Sequence, residues 1–432
     1  MTGRYKAYAE YKDSGVEWVG SIPTHWGLKK LKYLAPLIGE KATEKTNPIA
    51  LEHIQSWTGK LISSDSTFEG DGTKFKAGDI LFGKLRPYLA KVYLTKADGE
   101  AIGDFHVMRP ISNSYGKFLK SLMLTKDYIA TVDASTYGAK MPRASWDFTS
   151  NIQLPFCSEV EAEKIANFLD HETAKIDTLI DKQEKLIELL KEKRQTVISH
   201  AVTKGLNPDA PMKDSGVEWL GDVPEHWDVI FIKHLSRVKR GASPRPIDDP
   251  KYFDDNGEYA WTRIADVSSA GMYLTSTTQR LSTLGSSLSV RLNANELFLS
   301  IAGTVGKPCI TVSKACIHDG FVYFPELKIN NKFLYYIFDA GQAYLGLGKM
   351  GTQLNLNTDT VGGIKVGLPP KDEIEQIVTH IENQSRKYSE LIDRAVDSIE
   401  LMKERKTALI SAAVTGKIDV RDWQEPTYQE SA

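Results

Sequence analysis

Two stretches of the chain carry apolar residues at helical spacing, and each runs for more than 40 residues without Gly or Pro. The first lies between Pro155 and Gly205, and the second lies between Pro370 and Gly416. Steps alternating between four and three residues meet mostly apolar side chains, which predicts two helices that pair as a coiled coil. The residues predicted to pair the helices are Ile176, Leu179, Leu186, Leu190, Tyr388, Leu391, Met402 and Leu409.

The predicted seam between these helices also contains polar residues at equivalent positions. Glu172 corresponds to Gln384, and Lys193 corresponds to Arg405. They are either tolerated defects or residues that fix the register of pairing, and we favour register control. Helices of about 40–45 residues would be roughly 60–70 Å long, a length that suits a spacer.

Each helical stretch follows roughly 125–140 residues with a different pattern. Short apolar alternation is broken there by Gly and Asn, as in GDILFGKLRPYLAKVYL and NELFLSIAGTVGKPCITV. Such segments are typical of strands joined by turns. The chain therefore reads as module, helix, module, helix.

The repeat extends to the opening phrase of each module. KDSGVEWVGSIPTHW at residues 12–26 returns as KDSGVEWLGDVPEHW at residues 213–227, and SHAVTKG near the end of the first helix returns as SAAVTGK. If the helices pair, this order makes them antiparallel, relates the modules by a pseudo-two-fold axis and brings the C-terminus near the N-terminus. We interpret the phrase, called the clasp below, as seating each module on the helix ends. Its anchors would be Trp18, Trp26, Trp219 and Trp227, with His25 and His226 in packing or hydrogen-bonding roles.

The net charge of −2 hides an uneven distribution over the 432 residues. Residues 27–154 carry 18 Lys and Arg against 13 Asp and Glu, and residues 228–368 carry 15 against 12. The helical stretches are slightly acidic. The basic excess of the modules is either statistical scatter or the footprint of a polyanionic partner.

Several function classes lack support in the sequence. The Gly-Lys pairs do not form a P-loop, no G-x-S-x-G or H-E-x-x-H motif occurs, and Cys309 and Cys316 lack a second pair at zinc-site spacing. We therefore predict a binding protein without a catalytic or metal site. No apolar run predicts a membrane span, and three cysteines without a disulfide pattern favour the cytoplasm.

With these features assembled, the sequence resembles the specificity (S) subunits of type I restriction–modification systems. The resemblance rests on the doubled clasp, on GASPRP…YAWTRIADV and GTQLNLN, and on the helix ends K-x-K-R-x-x-x-I-S-x-A-V-T and K-E-R-K-x-x-x-I-S-x-A-V-T. It implies an α+β fold in which two globular α/β target recognition domains are separated by a pair of long antiparallel coiled-coil helices. The predicted domains are recognition domain 1 (1–156), a central spacer helix (157–206), recognition domain 2 (207–369), a distal spacer helix (370–420) and a tail (421–432).

The resemblance also implies a function and partners. The chain would read an asymmetric, bipartite site in double-stranded DNA and dock two methyltransferase (M) subunits, which restriction (R) subunits then join. S-adenosylmethionine, ATP and Mg would be bound by those partners, so this chain would be non-catalytic. The alternatives are an enzyme with an unrecognised site and a coiled-coil scaffold whose modules bind proteins. Within the family, a silent copy is a further alternative.

Candidate DNA contacts are cations and one amide in loops marked by Gly or Pro. Arg suits guanine, Gln suits adenine, and Lys more often holds phosphate. For each residue the alternative is a solvated surface charge. The candidates are Lys84, Arg86, Lys91, Lys140 and Arg143 in the first module, and Arg240, Arg245, Arg263, Lys307, Lys349 and Gln353 in the second.

Overall fold

The computed structural model describes residues 5–42, 46–63, 72–138, 140–344, 347 and 356–425. The chain divides into two compact units, the first formed by Met1–Glu184 with Val396–Ala432 and the second by Lys185–Ala395. Each unit holds one module and parts of both long helices. The sequence-based division gave each spacer helix a domain of its own, whereas in the structure both helices are shared between the units.

The first unit begins with short strands and helices and leads into a long helix. Strands β6 and β8 are the central strands of two three-stranded sheets, with the orders β7-β6-β9 and β4-β8-β5. Antiparallel pairing of β3 with β10 places the start of the module beside its exit into the long helix. The strands are β1 (Tyr11–Asp13), β2 (Ser21–Pro23), β3 (Gly27–Lys30), β4 (Pro48–Ile49), β5 (Gly72–Phe75), β6 (Ile80–Gly83), β7 (Val92–Leu94), β8 (Gly99–Ile102), β9 (Phe105–Met108) and β10 (Gln153–Phe156). The helices are α1 (Leu31–Leu34), α2 (Asn113–Met123), α3 (Lys126–Asp133), α4 (Trp146–Thr149) and the long α5 (Glu159–Lys204).

The second unit repeats this plan around larger sheets. One has the order β14-β22-β19-β20-β16 and another β17-β15-β21-β18, and β13 pairs with β23 just before the second long helix. The strands are β11 (Met212–Asp214), β12 (Asp222–Pro224), β13 (Asp228–Phe231), β14 (Lys239–Arg240), β15 (Tyr259–Thr262), β16 (Tyr273–Leu274), β17 (Gln279–Leu281), β18 (Val290–Leu292), β19 (Leu297–Ser300), β20 (Pro308–Thr311), β21 (Ala315–Ile317), β22 (Phe321–Tyr323) and β23 (Lys365–Leu368). The helices are α6 (Ile232–Leu235), α7 (Ile264–Ser269), α8 (Thr283–Ser287), α9 (Asn331–Asp339), α10 (Thr358–Gly362) and the long α11 (Lys371–Val414).

The long helices run antiparallel and contribute to the core of each unit. In the first unit the beginning of α5 shares a core with the end of α11, and Lys406 donates a hydrogen bond of 2.5 Å to Asp177. In the second unit Ile198 and Val202 share a core with Ile377 of α11. In the part of the chain that the structure describes, no helix has both the length and the hydrophobicity to cross a membrane.

The buried stripe of α5 differs from the predicted one by one residue on one side. Ile176 is 7% exposed, as a pairing residue should be, but Leu179 and Leu186 are 48% and 42% exposed. Their neighbours Ile180 and Ile187 are half-buried instead. Because Leu and Ile stand side by side at both places, steps of three and of four residues each meet an apolar residue, and periodicity did not separate them.

The same displacement occurs in α11. Leu391 is 47% exposed, whereas Ile392 is half-buried and Ile399 is 6% exposed. Here the sequence held a signal, because position 398 of the predicted stripe is Ser and the next residue is Ile. The remaining predicted pairing residues are buried or half-buried, and they are Leu190, Tyr388, Met402 and Leu409.

The polar residues of the predicted seam fall into two groups. Lys193 and Arg405 are exposed, so they lie outside the stripe and the register role predicted for them does not hold. Gln384 is half-buried. Glu172 is 9% exposed and accepts a hydrogen bond of 2.7 Å from the Tyr5 hydroxyl, so it ties the N-terminal segment to α5.

The displaced stripe predicts a contrast in stability between neighbouring positions of α11. Ile399→Ala should lower the free energy of unfolding by about 2 kcal/mol, because it removes buried apolar atoms. Leu401→Ala should change it by less than about 0.5 kcal/mol, since Leu401 is 66% exposed. Urea unfolding followed by circular dichroism gives both values. Equal losses of stability in the two variants would contradict the buried stripe described here.

Each clasp grips the first turn of a long helix. In the first unit the indole of Trp26 donates to Glu161 at 3.0 Å, and His25 Nε2 lies 3.1 Å from the same carboxylate. In the second unit Trp227 donates to Glu373 at 3.2 Å. His226 Nε2 lies 2.8 Å from that carboxylate. These contacts confirm the predicted role of the clasp, and the carboxylates also suit the positive end of each helix.

Each clasp also receives the end of the other helix. Gly205 follows α5 with φ +73°, and a Cβ there would lie 3.2 Å from the Trp227 ring. Gly416 follows α11 with φ +72°, and a Cβ there would lie 2.4 Å from Pro23. Gly suits both the left-handed backbone and the close approach. One clasp therefore joins the start of one helix to the end of the other.

Two lysines close these junctions through the main chain. Lys204 donates to the carbonyl of Asp222, and Lys417 donates to the carbonyl of Ser21, which is the equivalent clasp position. The amide of Asp419 donates to the carbonyl of Lys6 at 2.8 Å. The C-terminal segment thus returns to the N-terminal segment within the first unit, as the chain order predicted.

Candidate nucleic-acid interface

In the first unit, two loops bring candidate cations together beyond β6. The amide of Arg86 donates to the carbonyl of Pro142 at 2.8 Å, and the amide of Ala144 donates to that of Lys84 at 2.9 Å. Leu85 and Arg143 form an isolated bridge between these hydrogen bonds. Three candidates far apart in sequence, Lys84, Arg86 and Arg143, therefore share one surface.

Asp104 orders this surface. Arg143 donates to its carboxylate at 2.9 Å, and the ammonium of Lys84 lies 3.7 Å from it. The hydrogen bond to Asp104 raises the pKa of the Arg143 guanidinium, which stays charged. Arg86 is exposed, with a left-handed backbone at φ +50°. The arrangement holds Arg143 in place and leaves Arg86 pointing to solvent.

Exposed aromatic and apolar side chains accompany these cations, and sequence analysis missed them. Tyr88 is 45% exposed, Tyr137 is 62% exposed and Met141 is 47% exposed, next to the exposed candidate Lys140. Their position among Gly, Pro and basic residues could have indicated that they lie in the same exposed loops as the cations. Flat or flexible apolar groups beside cations can pack against bases while the cations hold phosphates.

A buried histidine supports this surface from beneath. His106 on β9 is 5% exposed, and its Nε2 lies 3.2 Å from the carbonyl of Ala144. Burial lowers the pKa of His106 to about 4, so the ring is neutral at pH 7. The neutral ring can donate to this carbonyl without placing a buried charge behind the loop.

In the second unit, parallel pairing brings a second cationic surface together. β15 and β21 are parallel, so Arg263 and His318, which follow them, lie at the same end of the two strands. Arg240, the last residue of β14, also reaches this end, because its Nε donates to the carbonyl of Asp319 at 2.6 Å. Arg245 also donates to the Asp319 carboxylate at 3.1 Å. Three candidate arginines, Arg240, Arg245 and Arg263, thus lie near the C-terminal ends of β15 and β21.

The arginines near the ends of β15 and β21 are held by acceptors that the sequence did not reveal. Burial of the Asp319 carboxylate opposes its ionisation, but hydrogen bonding from Ser243 and the charge of Arg245 outweigh it and lower its pKa. The guanidinium of Arg263 donates to the Gln279 side chain. Arg240, Arg245 and Arg263 are all exposed, so donors remain available for a ligand.

Two other candidates are engaged inside the modules. Lys91 donates to the carbonyl of Leu51 at 2.6 Å. Lys307 donates to the carbonyls of Ser268 and Ala270, at 2.8 and 2.7 Å, and so caps the end of α7. These contacts give both lysines a role in supporting the backbone of their modules, and their predicted contact with DNA stays a prediction. Lys349 and Gln353 lie outside the described residues.

Comparison with known proteins relates the second module to a family. Residues 224–406 match the model described as the type I restriction modification DNA specificity domain. The resemblance to the specificity subunits of type I restriction–modification systems is thereby confirmed. The predicted role as a DNA specificity subunit is thereby confirmed, and the protein-binding scaffold is not favoured.

Curated relatives carry the same description. The specificity subunit of the type I restriction enzyme EcoDI from Escherichia coli is 28% identical over 172 residues, a match that spans 38% of either chain. The StySPI specificity subunit from Salmonella potsdam is 22% identical over 429 residues, which covers 88% of this subunit and 86% of the relative.

Solved structures confirm the predicted fold class. A chain solved to explain complex assembly and conformational transition of a type I R-M system has a TM-score of 0.74 at 17% identity, covering 92% of this subunit and 99% of that chain. The HsdS subunit from Thermoanaerobacter tengcongensis has a TM-score of 0.57 at 17% identity, covering 92% and 98%. Both support two modules with long helices.

Proposed function

We propose that this specificity subunit reads an asymmetric, bipartite DNA site, one half with each module. The observation that carries the proposal is that each unit presents its own exposed cationic surface on a different framework. The first surface rests on the three-stranded sheet β7-β6-β9, and the second lies at the ends of β15 and β21, the central strands of the four-stranded sheet β17-β15-β21-β18. Different frameworks present different donors to the grooves, which supports unequal half-sites.

In the first module, ordered and free groups have different roles. Arg143, fixed by Asp104, would hold a phosphate and position the loop. Arg86 is free to reach a base edge, and Tyr137 is exposed enough to pack against a base or sugar. In the second module, Arg245 and Arg263 would share these tasks, because both are exposed and attached to neighbouring loops.

The long helices would dock the partner subunits. Their exposed leucines, which lie outside the stripe between the helices, offer apolar surface for methyltransferase subunits; they are Leu179, Leu186, Leu189, Leu391 and Leu401. Restriction subunits would join that core. S-adenosylmethionine, ATP and Mg would then be bound by the partners, and this subunit would supply no catalytic group. A cytoplasmic location is consistent with three buried cysteines that are all free thiols.

The function is tested by mapping adenine methylation across the host genome with and without the gene. Loss of methylation at one bipartite motif with an unspecified central gap is the expected result, and it would also reveal the target. Unchanged methylation would contradict the proposal. Purification of the chain with a methyltransferase subunit would then separate a silent copy from a different function.

Arginine substitutions should weaken DNA binding at one half-site each. Arg86→Ala and Arg263→Ala should each cost about 1–3 kcal/mol in affinity for the cognate duplex and relax sequence preference in one half. Fluorescence anisotropy with the assembled methyltransferase complex measures both effects. The control is Arg386→Ala on the exposed face of α11, which should leave affinity unchanged. If both loop variants retain wild-type affinity and preference, these arginines do not contact the target.

A further inference from the structure

The first unit contains a cavity lined with lysines that DNA reading does not explain. Its volume is about 530 Å³, and it lies where β7 and α2 of the module meet α5 and α11. Its floor is apolar, with Leu94, Leu124 and Ile410 among the lining residues. Five lysines belong to the same lining, and they are Lys60, Lys96, Lys117, Lys120 and Lys406.

The carboxylates of this cavity are already engaged. Asp177 accepts hydrogen bonds from Lys406 at 2.5 Å and from Lys60 at 3.0 Å. Burial opposes ionisation of Asp177, but these two hydrogen bonds outweigh it and lower its pKa. Asp170 pairs with Lys117 at 3.1 Å. Five lysines against two aspartates leave three positive charges in excess.

Lys120 combines partial burial with the lack of an ion pair, whereas Lys96, which also has no ion pair among the described residues, is exposed. Among the described residues no carboxylate lies within 4.0 Å of the Lys120 ammonium group, although the side chain is partly buried. Burial lowers the pKa of Lys120, and repulsion from Lys117, Lys406 and Lys96 acts in the same direction against the attraction of Asp170. A partly desolvated cation among other cations is costly unless an anion accompanies it.

The architecture itself does not require a cation at this position. The sequence Lys-Phe-Leu at residues 117–119 of α2 recurs at residues 332–334 of α9. The ion pair between Lys117 and Asp170 recurs there between Lys332 and Glu382, at 2.6 Å. Lys120 then corresponds to Tyr335, which is 6% exposed. The second unit builds the same helix junction with an aromatic residue, so the lysine of the first unit serves another purpose.

We infer that this cavity binds a compact polyphosphate, such as the triphosphate group of a nucleotide, with Lys120 as a direct contact. Phosphate oxygens can accept from several ammonium groups at once, and more than one negative charge is needed to balance the excess. Neighbouring phosphates of the DNA backbone together offer the same chemistry. This site lies outside the two cationic loop surfaces, so the inference stands independently of the proposed DNA reading.

The test is calorimetric titration of the full-length subunit with inorganic tripolyphosphate at constant ionic strength. Wild type should bind, and Lys120→Met should bind roughly tenfold more weakly, the loss expected for one charge-assisted hydrogen bond. Lys120→Tyr, which copies the second unit, should behave like Lys120→Met and retain the folded circular dichroism spectrum. Lys387→Met, at an exposed position of α11, should bind like wild type.

A competing random duplex separates the two sources of phosphate. If the duplex displaces tripolyphosphate and Lys120→Met also weakens duplex binding, the cavity receives the DNA backbone. If duplex binding is unchanged in Lys120→Met, the ligand is a free polyphosphate. The inference is overturned if wild type fails to bind tripolyphosphate at millimolar concentration, or if Lys120→Met and Lys120→Tyr bind it as tightly as wild type.

Discussion

Replacing Trp227 by Ala is expected to lower the free energy of unfolding by about 3–5 kcal/mol. The indole is fully buried and donates to Glu373 in the first turn of α11. It also fills the space beside two glycines: a Cβ at Gly367 on β23 would lie 2.8 Å from the ring, and one at Gly205 after α5 would lie 3.2 Å from it. Truncation therefore opens a cavity where a strand and two helix ends meet.

The measurement is guanidinium unfolding followed by far-ultraviolet circular dichroism. Tyr33→Ala is the matched control, since it removes an aromatic side chain that is 64% exposed and should change stability by less than about 0.5 kcal/mol. Trp227→Phe should fall between the two, because it keeps most of the volume and loses the indole donor. If Trp227→Ala were no more damaging than Tyr33→Ala, the clasp would not hold the second unit together.

Acidification is expected to remove about 3 kcal/mol of stability through His106 alone. The pKa of the buried ring is about 4, against an ordinary value of 6.5. Because the folded pKa is depressed, the unfolded chain takes up the proton first as the pH falls. The contribution is complete above about pH 6.5 and is lost progressively down to about pH 4, at about 1.4 kcal/mol for each pH unit in that interval.

His106→Phe isolates this effect, because it keeps an aromatic ring beside Phe82 and does not titrate. At pH 7 the variant should be the less stable protein, having lost the hydrogen bond to Ala144. Toward pH 4.5 the difference should shrink or reverse. Leu401→Ala, which changes no titratable group and lies at an exposed position of α11, should follow the wild-type pH profile. Parallel profiles for wild type and His106→Phe would show that His106 does not titrate in this way.

Sequence analysis predicted the order of modules and helices because both occur twice in the sequence. The doubled clasp and doubled helix led to antiparallel helices, and the contacts of Glu161 and Glu373 show how the clasp works. The side of each helix that faces the other was less determined. Leu and Ile adjoin at residues 179–180 and 186–187, so both choices satisfied the hydrophobic pattern.

Individual site residues were harder to predict because their partners are distant in sequence. Lys91 and Lys307 are as basic as Arg86 and Arg263, but their acceptors are backbone carbonyls on other segments, which composition does not reveal. Arg143 joined the first surface through Asp104, a residue 39 positions away. A cation in a loop marked by Gly or Pro can therefore be predicted to lie at the surface. Which acceptor it binds depends on the tertiary fold.

The lysine contacts of the clasps determine which clasp residues can be substituted without loss of the junction. Lys204 and Lys417 bind a main-chain carbonyl, and the residue that owns it is Asp222 in one copy and Ser21 in the other. A carbonyl survives any substitution of its side chain. The cation also tolerates displacement, because Lys204 precedes the glycine after its helix and Lys417 follows it. Substitution of Asp222 or Ser21 thus leaves the contact between lysine and carbonyl in place. The tryptophan and glutamate of each clasp meet through their side chains, so a change of either one removes their hydrogen bond.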